Sequence, residues 1–222
     1  GTVTCASTTN VNRLTVQPTG YSVNSSALNL TGPPAFITTP AGTTTINSVM
    51  AGTASLVKAG PGTLKLNSAV PTNTGNTTLN EGTLSLTGTG KLYSNLGWGS
   101  RTVSVNNGAM LEVDRWDGNG CLGQLDYSVG NLVINGGTIR FTGNSNGTAE
   151  GQGFTIGAGG ATLQSDAPAG QRWNINLDVR FSNTNYGIAS NSGGMLHLTG
   201  AGNGLISKVI PGNGGLTKSG AG

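Results

Sequence analysis

Gly62-Thr63-Leu64-Lys65-Leu66 sets a glycine ahead of an alternating apolar triplet, and the phrase returns along the chain. It reappears as Gly82-Thr83-Leu84-Ser85-Leu86, Gly108-Ala109-Met110-Leu111-Glu112-Val113 and Gly137-Thr138-Ile139-Arg140-Phe141. Weaker copies are Gly160-Ala161-Thr162-Leu163 and Gly194-Met195-Leu196-His197-Leu198. From Leu64 through Leu84, Leu111, Ile139, Leu163 and Leu196 the steps are 20, 27, 28, 24 and 33 residues. Leu28-Asn29-Leu30 and Val3-Thr4-Cys5 extend the series towards the start. A strand-bearing unit that recurs at roughly 20–35 residues marks a solenoid, in which each unit buries its apolar face against the next.

A second apolar strand and a tight turn precede most triplets. Val103-Ser104-Val105 leads through Asn106-Asn107-Gly108, and Leu132-Val133-Ile134 leads through Asn135-Gly136-Gly137. Taken alone, Asn-Gly between alternating runs signals a hairpin, so an antiparallel sandwich is the competing architecture. The repeat decides against it. Hairpins need not return with the same turn before the same triplet, whereas rungs stacked on one another do. The expectation is an all-β, right-handed parallel β-helix of about eight rungs with longer loops, forming a single solenoid domain over residues 1–222. The longer steps place irregular loops at 31–54, 112–127 and 164–194.

Composition agrees. Glycine supplies 39 of 222 residues, well above the usual ~7%. Charged residues are only 9%, yet 35% of the chain is hydrophobic and falls in strand-like alternation, which argues against disorder. Thr and Asn occupy the places that Lys and Glu usually fill; Thr is β-branched and Asn tolerates left-handed turns. The net charge of +3 comes from scattered residues with no basic stripe, so nucleic acid is not an expected partner. No apolar run approaches the ~18 residues of a membrane helix, and no cofactor motif is present. Cys5 and Cys121 lie about four units apart, roughly 20 Å at ~4.8 Å per rung. A disulfide needs Cα atoms within about 7 Å, so the two are expected not to be joined.

Lys58-Ala59-Gly60-Pro61-Gly62-Thr63-Leu64-Lys65-Leu66 is followed by Asn73-Thr74-Gly75-Asn76-Thr77-Thr78-Leu79-Asn80-Glu81-Gly82-Thr83-Leu84. Together they resemble the autotransporter-associated β-strand repeat over residues 56 to 88. The motif begins again at Leu216-Thr217-Lys218-Ser219-Gly220-Ala221-Gly222. The spacer Asn67-Ser68-Ala69-Val70-Pro71-Thr72 departs from the repeat by lacking its aromatic before the glycine. What the resemblance implies is a secreted, surface-displayed β-helical passenger region of a bacterial protein. Residues 89–214 carry the general solenoid pattern alone.

Site chemistry is sparse. Glu112, Asp114, Asp117 and Asp126 are half of the eight acids, and Glu112 and Asp114 share one face of a strand. Paired carboxylates a few ångströms apart perform glycoside hydrolysis, with Arg115 and Trp116 as possible sugar contacts. A polar rung edge explains the same residues without catalysis. Asp114, Asp117 and Asn119 form a weak calcium candidate, since they supply hard oxygen ligands, but the loop lacks EF-hand spacing. Turn chemistry accounts for it equally. His197, the only histidine, should point outward between Leu196 and Leu198.

Three functions compete: a structural stalk, spacer or filament subunit; an adhesive solenoid; and a polysaccharide-active enzyme. The first is favoured, and with it a non-enzymatic chain at the cell surface. The adhesive reading would use Trp98, Trp116 and Trp173 in the long loops, with host or matrix carbohydrate as the ligand. The expected partners of the structural reading are neighbouring rungs or copies of the chain, stacked head to tail. Neither terminus carries a helix, a charged run or a proline that could cap an open solenoid.

Overall fold

The computed structural model describes residues 1–17, 19–93, 101–116, 120–122, 131–143, 154–175, 188–206 and 210–222. These residues form strands and turns with no helix among them. Every strand pair among them is parallel, so the hairpin sandwich is excluded and the chain is a parallel β-solenoid.

One side of the solenoid is a ten-stranded sheet that runs from Thr2–Thr4 through Thr63–Leu66, Gly82–Leu86 and Ala109–Val113 to Leu216–Lys218. A second side is an eight-stranded sheet running from Arg13–Thr15 through Leu56–Ala59 and Val103–Asn106 to Ile188–Asn191. A third side carries the strands Thr9–Val11, Ala27–Leu30 and Val49–Gly52. Arg172–Ile175 and Asn203–Ile206 later take the same place in the chain's cycle.

The sheets hold the repeat in register. Leu64 pairs with Leu84, Leu84 with Leu111, Leu111 with Ile139, and Ile139 with Leu163. All five are buried, because alternation turns every second side chain into the bore of the solenoid. Leu66, Leu86, Val113 and Phe141 form a parallel inner column, also fully buried. Between the two columns, Lys65, Ser85, Glu112 and Arg140 face outward and pair in the same order.

The register corrects the sequence reading at three points. Leu163 pairs with Leu198, and Leu196 pairs with Ala161, so the last step is two residues longer than the triplet count gives. Leu28 lies in the three-stranded sheet; the ten-stranded sheet is continued instead by Tyr21–Asn24 and Thr43–Ile46. These two strands were hidden because polar residues stand where the triplet carries leucine: Thr44 occupies the position of Leu64. Residues 31–54 are therefore not an irregular loop but carry the strands Ala35–Thr38, Thr43–Ile46 and Val49–Gly52. Likewise 164–194 includes Arg172–Ile175 and Ile188–Asn191.

The corners explain the glycines. Gly60 has φ near +80°, and a Cβ there would lie 2.7 Å from the Thr39 carbonyl oxygen of the rung below. Only a residue without Cβ permits both the left-handed turn and the close approach. Cys5 and Cys121 are both free thiols. Among the described residues no helix is long and apolar enough to cross a membrane.

Leu111→Ala should therefore lower stability by about 2–5 kcal/mol, the range for a cavity in a packed core. Lys65→Ala, on the outer face, should change it by less than about 0.5 kcal/mol. Denaturant unfolding of the two variants checks the in/out assignment, and equal losses would overturn it.

Candidate functional surface

The chain has few charged residues, and several of those described, Lys58, Glu81, Asp114, Arg115, Asp166 and Lys218, bond to its own backbone. Lys58 belongs to the strand Leu56–Ala59 and points inward beside Ile37 and Leu79, its partners in register. Its side chain is fully buried. The ammonium donates to the carbonyl oxygens of Ala59 at 3.0 Å, Gly60 at 2.6 Å and Glu81 at 3.0 Å. The Glu81 carboxylate in turn accepts from the Gly60 amide at 3.1 Å. The Ala59 carbonyl also accepts from the Thr39 amide at 3.0 Å, so there the ammonium adds a second bond. At Gly60 and Glu81 it supplies a cation to corner carbonyls, and the Gly60 amide finds an anion. Lys218 repeats the pattern on Ser219 and Gly220, although it stands in the ten-stranded sheet and Lys58 in the eight-stranded one.

The segment beginning at Asp114 is tied down the same way. Asp114 accepts from the Gly88 amide at 2.6 Å, and Arg115 donates to the carbonyls of Gly88 and Gly90 on the preceding rung. The Cys121 thiol lies 3.2 Å from the Asp114 carboxylate. Burial pushes the Cys121 thiol up from its ordinary pKa, with Asp114 and Arg115 as smaller influences, so it is not a reactive thiolate.

On the outer face of the ten-stranded sheet a polar chain crosses the rungs. Ser85 donates to Glu112 at 2.9 Å, and Arg140 donates to Glu112 at 2.9 Å and to Asp166 at 2.7 Å. Gln164 donates to the same Asp166 oxygen at 2.7 Å. Burial pushes the Asp166 carboxyl up, but Arg140, Gln164 and the Ala201 amide outweigh it and hold the group below its ordinary value. Glu112 and Asp114 are thus engaged separately, one by Arg140 and Ser85, the other by a backbone amide and Cys121. Among the described residues no three acids, histidines or cysteines come together as a metal cluster. Asp117, Asn119 and Asp126 lie outside the described residues, as does Trp98.

Trp116 and Trp173 are placed otherwise than the loop reading expects. Both are core residues, with 2% and 1% of their surface exposed. Their rings meet edge to face at 5.2 Å, Trp173 stacks on Phe141 at 5.3 Å, and Trp116 meets Phe154 edge-on at 6.4 Å. Trp116 follows Asp114 and Arg115, whose polarity suggests an exposed loop; their bonds to the rung below leave the indole on the inner side. Trp173 stands in a strand, paired with Gly204. His197 is exposed as expected, and its Nδ1 lies 2.6 Å from the Thr217 hydroxyl one rung on.

Asparagines supply what sequence reasoning missed. Asn47 donates to Asn24 at 2.8 Å and Asn67 donates to Asn47 at 2.9 Å, with Thr89 donating to Asn67 at 2.9 Å. Asn29 donates to Asn10 and Asn106 to Asn80. Asn67 directly after its triplet was the one signal available, since Asn24 and Asn47 close strands that polar residues hid.

This arrangement defines a class: a β-solenoid whose described polar groups are largely consumed in holding rung to rung. No family model matches the chain, and no solved structure matches it. It is 43% identical over 111 residues to the adhesin BmaC autotransporter of Brucella suis biovar 1 (strain 1330). That match takes in 50% of this chain and 3% of the relative. The likeness to autotransporter repeats read from residues 56 to 88 and a relative that bears the name autotransporter agree with each other and with the parallel stack.

Lys58 gives a pH test. Burial lowers its pKa from 10.5 to about 8, with Glu81 opposing the shift. Above pH 8 the folded chain releases this proton while the unfolded chain keeps it up to 10.5, so stability from this group rises with pH across that window. The stability of the wild type relative to Lys58→Met should therefore increase between pH 8 and 10.5 in thermal unfolding. A difference independent of pH would show that the ammonium is not penalised by burial.

Proposed function

We propose that this chain is a structural length of a surface-exposed autotransporter passenger, a rigid stalk or spacer that holds other regions away from the cell. The observation that carries this reading is the fate of the candidate contact groups. The two described tryptophans are buried, and Glu112 and Asp114 are bound within the solenoid. We assign the chain no catalytic role and place it at the bacterial cell surface or outside the cell. The solenoid covers a small part of its named relative, so the activity of any larger protein built on it belongs to this same proposal.

The end faces support stacking. One holds an apolar cavity of roughly 340 Å³ lined by Trp173, Ile175, Leu198, Leu205 and Leu216. The other holds one of roughly 400 Å³ lined by Val3, Val11, Leu14, Val23 and Leu28. Each suits another rung of the same geometry, supplied by neighbouring rungs or by another copy.

A second reading has one observation in its favour: the relative's name includes the word adhesin. In that reading the outer faces of this segment themselves contact host or matrix carbohydrate. The purified chain separates the two. A structural length shows no saturable binding to host cells or glycan arrays and appears as short rods by electron microscopy. Saturable binding that survives high salt would replace the first reading with the second.

A further inference from the structure

The solenoid presents the same dipeptide in two neighbouring corners and treats it in opposite ways. Asn107-Gly108 turns the chain between Val103–Asn106 and Ala109–Val113, and Asn135-Gly136 turns it between Leu132–Asn135 and Thr138–Phe141. The corners are adjacent in register, since Asn106 pairs with Asn135.

At the second corner both the amide that would attack and the side-chain oxygen are held. The Gly136 amide donates to the Gly160 carbonyl at 2.7 Å, and the Asn135 side-chain oxygen accepts from the Gly159 amide at 2.8 Å. A Cβ at Gly136 would meet Asn107 at 3.0 Å, so the turn is also crowded. At the first corner neither of the corresponding groups is held. Asn107 and Gly108 are both exposed, and among the described residues neither the Asn107 side chain nor the Gly108 amide has a hydrogen-bond partner. A Cβ on Gly108 would meet no atom within 4 Å.

We propose that Asn107 is a site of spontaneous covalent modification by deamidation, and that Asn135 is protected by the fold. The Gly108 amide nitrogen loses its proton to solvent and attacks the side-chain carbonyl carbon of Asn107. A carbon–nitrogen bond forms, the side-chain nitrogen leaves as ammonia, and a cyclic imide remains. Water then opens the imide at one carbonyl or the other, giving aspartate or isoaspartate, with no redox change. Glycine favours the step because no side chain shields its nitrogen. At Asn135 the attacking amide keeps its proton in a hydrogen bond and the side-chain oxygen is fixed, so both the nucleophile and the rotation that delivers the electrophile are withheld.

The other described pairs are less open. Asn203-Gly204 lies inside a paired strand, and Gly214 of Asn213-Gly214 is packed against Asn191 and Gly194. The product at Asn107 adds a negative charge beside the Asn80–Asn106 amide pair, and the isoaspartate form lengthens the corner backbone.

Holding the folded chain at mildly alkaline pH and following it by peptide mapping with isoaspartate detection tests the proposal. Asn107 should convert several-fold faster than Asn135. In guanidinium the two dipeptides should convert at similar rates, which shows that the fold makes the difference. An Asn107→Ser chain should lose the product at that corner and leave the Asn135 rate unchanged. Conversion of Asn135 as fast as Asn107 in the folded chain would overturn the proposal. So would an Asn107 that is stable when folded and reactive only when unfolded.

Discussion

The parallel backbone ladder between rungs is the interaction on which the rest of this molecule depends. Each strand finds its hydrogen-bond partners on the rungs above and below, never within its own rung, so no rung is stable alone. The ladder demands that successive rungs follow the same path, and that demand places like residues over like. Leucine falls on leucine, asparagine on asparagine, glycine on glycine. The inner columns, the amide pairs at the strand ends and the glycine corners are consequences of one geometric rule.

Corners are where that rule is hardest to meet. A chain that bends there leaves amides and carbonyls aimed away from any strand, and burial makes each of them costly. Lys58 and Arg115 serve the carbonyls, while Glu81, Asp114 and Asn135 serve the amides. Many of the charged side chains are fastenings rather than surface, and a solenoid of this kind has little use for more.

The alternation at Leu64, Leu84, Leu111 and Ile139 was legible because glycine, strand and apolar triplet recur together. Tyr21–Asn24 and Thr43–Ile46 were not, because inward position and apolar character part company there: Thr44 is fully buried between Tyr21 and Leu64 in its column. The triplet at Leu196 misled by two residues, since Leu196 and Leu198 both fit the pattern and only the hydrogen-bond register separates them. Trp116 shows the same limit from the other direction. A tryptophan flanked by charges reads as exposed, and only the bonds made by Asp114 and Arg115 on another rung reveal which way the chain turns. Such contacts join residues about 25 positions apart, beyond the reach of local pattern.

One outer column carries Thr45, Lys65, Ser85, Glu112, Arg140 and Gln164 in successive places. Hydroxyl, cation, anion and amide all sit on the same backbone position, while the columns on either side stay largely apolar. The backbone register is the same beneath each of them, although Ser85, Glu112 and Arg140 also bond to one another across the rungs. Shape is thus set by the columns that face the bore, and the chemistry of the outside is set residue by residue on top of it, so one backbone path can carry many different surfaces.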